Sequence, residues 1–312
     1  MKTLYGLKQS RHQWYQKLTS IFLAMGFKQC AVDQAVFYKV DQHKHKITVI
    51  AVHVDNCTIA MSTLRVVKNL KSGLHRHVEV TDLGTLHWML RIEIWCNCEA
   101  HTIHLSQTAY INSILHCYNL HELKPLSTPM DTQVHLTSKQ VPETTVEFVA
   151  MCNVPYHKAV STLNWAALTT CPNIVFAVAT VACSAANPRP AHWEAVKQIF
   201  HYLAGTHDLW LSYGKTRCTL AGYADVDGSM AEDQCAISGY AFLINSGTAS
   251  WSSKWQEVVS LSTTESKYVA ATHGMKEALW LRSLLSEVFS TIPNPTTMFS
   301  DNQAAIALAR NH

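Results

Sequence analysis

Charge, glycine and arginine are scarce in this sequence. Charged residues make up 15% of the 312 residues, against about 25% in an average globular protein. The 11 glycines are half the usual share of about 7%, and the basic residues divide into 17 lysines and 8 arginines. Hydrophobic residues nevertheless make up 48%, which is enough for a sizeable core and excludes a disordered protein.

Long apolar segments are also missing. The longest run, residues 174–186, is interrupted by Thr180 and Ser184 and is shorter than the about 20 residues that cross a bilayer. No apolar leader follows Met1, so we expect an intracellular chain, cytoplasmic or nuclear, that is not secreted and has no membrane partner. The ten cysteines are then expected to be free thiols. A net charge of +3 is compatible with a polyanionic partner but too small to establish one.

The first third of the chain has an α+β pattern. Apolar residues at helical spacing predict a helix over residues 4–27, which Gly26 ends. Alternating β-branched residues at 47–54 and 57–61 predict a hairpin with Asp55-Asn56 as its turn. A helix over 64–74 and a second hairpin, pairing 86–94 with 102–105, complete this part. Arg91 then lies in an apolar strand, where a buried charge is costly.

The composition changes twice further along. Residues 124–147 are rich in Pro, Ser, Thr, Gln and Val without an apolar period, which indicates a linker. Helices are predicted over 156–169, 173–186 and 192–203. The last hundred residues predict three antiparallel strands at 220–224, 237–244 and 248–252, a long helix over 263–288, a strand at 297–300 and a helix from Asn302.

Two carboxylates in the last part could form a site. Asp225 ends the first of these strands and Asp301 ends the fourth, so neighbouring strands would bring their side chains together. Paired carboxylates suit Mg²⁺ and the two-metal chemistry of phosphodiester cleavage. For a single aspartate, a turn residue or a helix N-cap is the more common role, so spacing alone does not decide.

Ordered sequence strings carry a family resemblance. They are LYGLKQS, His53-Val54-Asp55-Asn56, VTDLGTLHWML, LSQTAYI, KPLSTPM, VPYHKAVSTLNWA, NPRPAHWEAVK, GYADVD, ISGYAFL, ASWSSKWQ, LSTTES and SDNQAAIALA. In this order they resemble the reverse transcriptase, connector and ribonuclease H regions of copia-type retrotransposon Pol polyproteins. The resemblance implies an α+β palm fragment of a reverse transcriptase at 1–123, a linker and helical connector at 124–215, and a truncated ribonuclease H-like α/β domain at 216–312.

The resemblance also implies a chemistry that this sequence only partly retains. The family uses Mg²⁺ and no small-molecule cofactor, and its partners are a template-primer and an RNA–DNA hybrid. Its polymerase motif resembles Tyr-Val-Asp-Asp, of which Asp55 is kept and Asn56 replaces the second Asp; the third Asp would precede Met1. In the ribonuclease H part, Asp225 and Asp301 match two acidic ligands, but Lys267 stands at the essential Glu.

Lys267 changes the expected chemistry most. Repulsion between an ammonium and Mg²⁺ at ligand distance is on the order of several kcal/mol, even at an effective dielectric near 20. Glu265 cannot replace the missing ligand, because two helical residues are about 200° apart around the axis. We therefore expect Lys267 to pair with Asp225 and Asp301 in place of metal.

The run CNCEAHTIH contains a second, weaker metal motif. Cys96, Cys98, His101 and His104 crowd one hairpin turn, whereas zinc ligands are usually spaced more widely, so we do not predict a zinc site. In members of the resembled family, the sequence of this turn is commonly similar to Arg-Asp-Arg. Each exchange in this run can arise by a single C-to-T transition on one DNA strand or the other, which leads to the hypothesis that the chain is a decayed genomic copy. Similar exchanges are found elsewhere, at Asn56, Arg91, Cys171, Asn173, Cys183, His201 and Lys267.

Three functions therefore stay open at the level of sequence. The first is a degenerate, catalytically inactive fragment of a copia-type Pol polyprotein, which we favour. The second is a residual Mg²⁺-dependent ribonuclease H that uses Asp225, Asp227, Glu265 and Asp301. The third is a co-opted nucleic-acid-binding module without chemistry. Because arginine supplies bidentate phosphate contacts, we expect weak, salt-dependent nucleic-acid binding.

Overall fold

The computed structural model describes residues 9–41, 46–61, 63–120, 124–131, 136, 140–214, 219–227, 236–290 and 294–310. These residues group into two compact units. The first comprises the described parts of 1–86 and 279–293, and the second those of 87–278 and 294–312. The start of the predicted first helix, Cys218 and Cys235 lie outside the described residues.

The first unit is an antiparallel sheet with two helices, together with residues 279–289, which are the end of a helix that begins in the second unit. Its elements are α1 (Ser10–Ala24), β1 (Lys28–Gln29), β2 (Val36–Asp41), β3 (Lys46–His53), β4 (Asn56–Met61) and α2 (Leu64–His75). The sheet order is β1-β2-β3-β4. Apolar side chains of α1, including Phe22, pack with Phe37 and Ile50 of the sheet and with Leu70 and Leu74 of α2.

Gly26 ends α1, as predicted. Its φ of 79° lies in the left-handed region that glycine adopts without a Cβ clash. The Gly26 N–H donates to Leu23 O over 2.9 Å, and the Phe27 N–H donates to Phe22 O over 3.0 Å. These two bonds form a Schellman motif, which satisfies carbonyl groups left open at the helix end.

The first hairpin is present, but its turn lies one residue earlier than predicted. Asn56 is the first residue of β4 and pairs with His53, so the two-residue turn is Val54-Asp55. Val54 has a φ of 55°, and a positive φ at the first turn residue alone is typical of a type II′ turn. The Trp14 indole donates to Val54 O over 3.2 Å, a contact that helps to hold a β-branched residue in this conformation.

The second unit contains two sheets and a helical layer. Its elements are β5 (Trp88–Met89), β6 (Ile92–Asn97), β7 (Thr102–Ser106), α3 (Thr108–Cys117), α4 (Thr145–Cys152), α5 (Tyr156–Thr169), a 3-10 turn (Pro172–Ile174), α6 (Val175–Ala182), α7 (Pro190–Thr206), β8 (Leu211–Tyr213), β9 (Leu220–Asp227), β10 (Ile237–Ile244), β11 (Gly247–Trp255), α8 (Thr263–Phe289), β12 (Thr297–Phe299) and α9 (Gln303–Arg310). The sheet orders are β5-β6-β7-β8 and β11-β10-β9-β12. Residues 279–289 of α8 belong to the first unit.

The helical layer encloses the larger core. Helices α3, α5, α6 and α7 contribute most of its buried side chains, among them Ile111, Leu163, Val178 and Phe200. The sequence predicted α5 with its observed bounds, but it did not predict α3. Residues 124–131 and 140–144 have no regular structure, as expected of a linker, whereas α4 begins at Thr145 inside the predicted linker.

The second predicted hairpin is wrong in detail. Residues 86–94 are not one strand, because β5 and β6 pair with each other through a turn at Leu90-Arg91. Arg91 is exposed in this turn and has a φ of 64°. Its guanidinium lies 5.7 Å from the centre of the Tyr110 ring. The expected cost of burying Arg91 therefore does not arise.

The last sheet confirms the predicted strand pattern. Strands β9, β10 and β11 are antiparallel, and β12 adds to β9 in parallel. Along β9, buried residues alternate with exposed ones, because successive side chains point to opposite faces of a sheet. A Cβ on Gly274 of α8 would meet Ala224, so α8 covers the face that carries Ala224.

Candidate metal centre

Strand pairing brings Asp225 and Asp301 together. The parallel register of β12 and β9 pairs Phe299 with Tyr223. Asp301 and Asp225 each follow two residues later and therefore lie side by side. Asp225 does not end its strand as predicted, because β9 continues to Asp227. Both carboxylates are largely exposed, Asp225 at 71% and Asp301 at 68% of the side chain. Asp301 is not a helix cap, since Asn302 Oδ1 accepts from the Ala305 N–H over 2.8 Å at the start of α9.

Lys267 lies between the two carboxylates. It is in the second turn of α8, and its Nζ donates to Asp225 Oδ1 over 2.9 Å and to Asp301 Oδ1. The Lys267 side chain is only 16% exposed. The bonds to Asp301 and then Asp225 raise the pKa of Lys267 above its usual value, and the Lys267 ammonium lowers the pKa of Asp301.

Glu265 does not point into this centre. It has a different role at the start of α8, where Ser262 Oγ accepts from the Glu265 N–H over 3.1 Å. In return, Glu265 Oε2 accepts from the Leu261 N–H over 2.7 Å. This reciprocal pattern resembles a capping box. The Glu265 carboxylate is therefore already bonded at the helix start, whereas a residual ribonuclease H would need it as a metal ligand.

The side chains present do not fit a magnesium ion. Two carboxylates would suit Mg²⁺ as hard oxygen ligands, but the Lys267 ammonium occupies the space between them and supplies the positive charge. In the part of the chain that the structure describes, no cluster of three or more His, Cys, Asp or Glu side chains is placed to hold a metal ion. The arrangement is thus a salt-bridge centre.

Asp55 and Asn56, the polar residues at the tip of the β3-β4 hairpin, lie in different elements. Asp55 is exposed in the turn, and Asn56 is exposed at the start of β4. An asparagine amide has no charge to offset a divalent ion, so one carboxylate is all that Asp55 and Asn56 offer.

The run 96–104 spans β6, its turn and β7. Cys96 is in β6, Cys98 and His101 are in the turn, and His104 is in β7. His104 Nδ1 lies 2.8 Å from Ser212 Oγ of β8, so this ring nitrogen already has a partner. Trp95 and Trp210 lie beside His104, and the sequence analysis did not predict a role for either. The signal that could have found them is a tryptophan in a strand of alternating polarity.

Comparison with known proteins relates the chain to retrotransposons. The sequence model of the family described as "Reverse transcriptase (RNA-dependent DNA polymerase)" matches residues 1–132. The chain is 35% identical over 311 residues to the retrovirus-related Pol polyprotein from transposon TNT 1-94 of Nicotiana tabacum, covering 99% of this chain and 23% of that protein. Two such polyproteins of Arabidopsis thaliana match similarly. That from transposon RE1 is 32% identical over 314 residues (99% and 20% covered), and that from RE2 is 31% identical over 317 residues (99% and 21% covered).

The chain belongs to the copia-type retrotransposon Pol polyproteins. It contains a reverse transcriptase domain within a mixed α/β fold. This Pol chain spans about a fifth to a quarter of the length of the three relatives. Among its described helices, none combines the length and apolarity that a bilayer span requires.

Proposed function

We propose that this Pol chain is a degenerate, catalytically inactive segment of a copia-type polyprotein. Reverse transcriptases normally use Mg²⁺. Lys267, which bridges Asp225 and Asp301, is the observation that carries the proposal. An ammonium between two carboxylates neutralises the charge that would attract a divalent ion, and removing Lys267 from this position would leave the carboxylates repelling each other.

The proposal also assigns three parts of the chain to regions of the copia-type polyprotein. Residues 1–123 correspond to a palm fragment, 124–215 to a linker and connector, and 216–312 to a ribonuclease H-like domain. The four-stranded antiparallel sheet of the first unit is consistent with the first assignment. The sheet order β11-β10-β9-β12, with a parallel last strand, supports the third. The compact units follow spatial contacts and divide the chain at other residues.

The proposed partners and compartment follow from the family. A template-primer or RNA–DNA hybrid would bind weakly, inside the cell, in the cytoplasm or nucleus. The scarcity of arginine supports weak binding, because few bidentate phosphate contacts are available. Such binding should fall steeply as the salt concentration rises.

A cleavage assay with the purified full chain tests the proposal. We expect no Mg²⁺-dependent cleavage of an RNA–DNA hybrid and no incorporation of nucleotides on a template-primer. Asp225→Asn serves as the control for a contaminating nuclease, since it removes one of the two carboxylates. Cleavage by the wild-type chain that Asp225→Asn abolishes would establish the residual ribonuclease H instead.

A matched pair of variants tests the role of Lys267 itself. Lys267→Glu places three carboxylates at the centre and should bind Mn²⁺, measured by electron paramagnetic resonance. Lys267→Met removes the ammonium but adds no ligand and should bind Mn²⁺ much more weakly. Equal Mn²⁺ binding by the wild-type chain and Lys267→Glu would contradict the proposal. Tight binding of an RNA–DNA hybrid without cleavage would instead favour the co-opted nucleic-acid-binding module.

A further inference from the structure

Strand register brings aromatic side chains together on one face of the β5-β6-β7-β8 sheet. Trp95 of β6 is directly opposite His104 of β7, and His104 is opposite Ser212 of β8. Trp210 precedes Ser212 by two residues and thus lies on the same face. The rings of Trp95 and Trp210 stack with centroids 5.8 Å apart and planes at 29°, and His104 meets Trp210 edge to face at 5.7 Å.

These rings border an open cleft. Its volume is about 560 Å³, and Asn97, Glu99 and Thr102 extend it beyond the aromatic rings. Trp95 is 54% exposed and Trp210 is 46% exposed. Large aromatic surfaces that stay open to solvent on a sheet are unusual and often mark a binding site. We call this region the Trp95–Trp210 cleft.

The charge of the cleft favours a cation. Glu99 contributes a carboxylate, and no lysine or arginine lines the cleft within the described part of the chain. The position of Glu99 is supported by its turn, because Asn97 Oδ1 accepts from the Glu99 and Ala100 N–H groups over 3.1 and 2.9 Å. An aromatic face beside a carboxylate attracts organic cations through the ring quadrupole and through the charge.

The shape of the cleft distinguishes between kinds of cation. A quaternary ammonium is held best by several rings that surround it, whereas Trp95 and Trp210 stack on each other, so the ring surface open to a ligand is a flat outer face. A planar guanidinium stacks on such a surface and still directs its N–H groups to a carboxylate. A nucleic-acid strand could also stack its bases, but its phosphates would meet Glu99 without a compensating cation.

We propose that the Trp95–Trp210 cleft binds the guanidinium group of an arginine side chain in a partner peptide, stacked on the indole rings and paired with Glu99. The cleft lies away from the salt-bridge centre in sequence, and the proposal does not depend on whether either former catalytic site is active.

Titration of the full chain with short peptides tests this site. The probes are Ac-Gly-Arg-Gly-NH₂, its citrulline analogue, which is isosteric but uncharged, and its lysine analogue. Indole N–H resonances of Trp95 and Trp210 are followed by NMR and assigned through Trp95→Leu and Trp210→Leu. We expect the arginine peptide to shift both resonances with saturation, the lysine peptide to bind more weakly, and the citrulline peptide to leave both unchanged.

Two further variants separate the contributions and control for folding. Glu99→Gln should weaken arginine-peptide binding about two- to fivefold, as for an exposed ion pair, and Trp210→Leu by a similar factor. Trp88→Leu removes an exposed indole of the same sheet outside the cleft and should leave the affinity unchanged. Equal binding of the citrulline peptide, an unaltered affinity in Glu99→Gln, or preferential binding of a single-stranded oligonucleotide at these indoles would overturn the proposal.

Discussion

Leu90 and Arg91 occupy backbone positions that favour glycine. Both have a positive φ, 52° and 64°, in the two-residue turn between β5 and β6. A turn with two positive φ values is type I′, for which Asn-Gly is the preferred sequence. A side chain in the left-handed region costs roughly 1–2 kcal/mol because its Cβ approaches the following carbonyl oxygen. The turn therefore forms although neither of its residues is a glycine or an asparagine, and the pairing of β5 with β6 stabilises it.

Arg91→Gly should raise the stability of the second unit. We expect the free energy of unfolding to rise by about 1 kcal/mol, because relief of the left-handed strain outweighs the lost contact with Tyr110 and the added freedom of the unfolded chain. Urea unfolding followed by tryptophan fluorescence measures the change.

Arg91→Ala is the matched control for this prediction. It removes the charge and the Tyr110 contact but keeps the Cβ, so it should not stabilise the unit. An equal gain from Arg91→Ala and Arg91→Gly would assign the effect to the charge and not to the backbone.

At the scale of elements, the start of α8 determines the chemistry of the candidate centre. The helical phase places Lys267 toward Asp225 and Asp301, while Glu265 bonds back to the residue before Ser262. Lys267 and Glu265 thus have separate roles: Lys267 belongs to the salt-bridge centre, and Glu265 belongs to the helix cap. This separation is the reason that Glu265 offers no substitute for a missing metal ligand.

Ser262→Ala should destabilise α8 without affecting the salt-bridge centre. Loss of an N-cap acceptor typically costs about 1 kcal/mol. The change is measured as a lower free energy of unfolding, together with faster amide hydrogen exchange in the first turn of α8. Ser262→Asp keeps an acceptor and should retain the stability. A shift of the Asp301 carboxyl resonance in Ser262→Ala would show that the two roles are coupled after all.

At the scale of the whole molecule, the first unit is assembled from distant parts of the chain. Glu287 of α8 accepts from the Ala31 N–H over 2.9 Å and from the Cys30 thiol over 3.1 Å. These residues are more than 250 positions apart. The Ala31 N–H lowers the pKa of Glu287, and burial raises the pKa of Cys30. The charge of Glu287 therefore contributes to holding residues 279–290 against the loop that follows β1.

Glu287→Gln should make the stability of the first unit less dependent on pH. A carboxyl with a lowered pKa stabilises the folded state above its unfolded pKa, about 4.3 for Glu, and loses this contribution as the pH falls through the folded value. We expect the wild-type chain to be more stable than Glu287→Gln by about 1 kcal/mol at neutral pH. This difference should shrink as the pH falls below the unfolded pKa and vanish once the pH is below the lowered folded pKa.

Urea unfolding at several pH values measures this difference. Glu194→Gln alters an exposed pair with Lys197 and should have little effect at any pH. A difference between wild type and Glu287→Gln that persists unchanged in acid would rule out the charge of Glu287 as its cause.

Local patterns predicted many elements but not how they assemble. The sequence predicted α5 and β10 with their observed bounds, and it placed α8 to within a residue at its end. It missed α3, whose apolar residues follow a strand directly, and β8, which has three residues and pairs with β7 about a hundred positions away. Short elements without a clear period form because their partners are already in place.

The amino-acid sequence by itself determined the family of this chain and the identity of the groups at its candidate centre: two aspartates, a lysine at 267 and an asparagine at 56. Only the tertiary structure decided that Lys267 reaches both aspartates and that Trp95 and Trp210 share one open cleft. The physical reason is that side-chain chemistry is carried by each residue, whereas distance and direction depend on strand register and helix phase. Those are set by contacts between segments far apart in the chain.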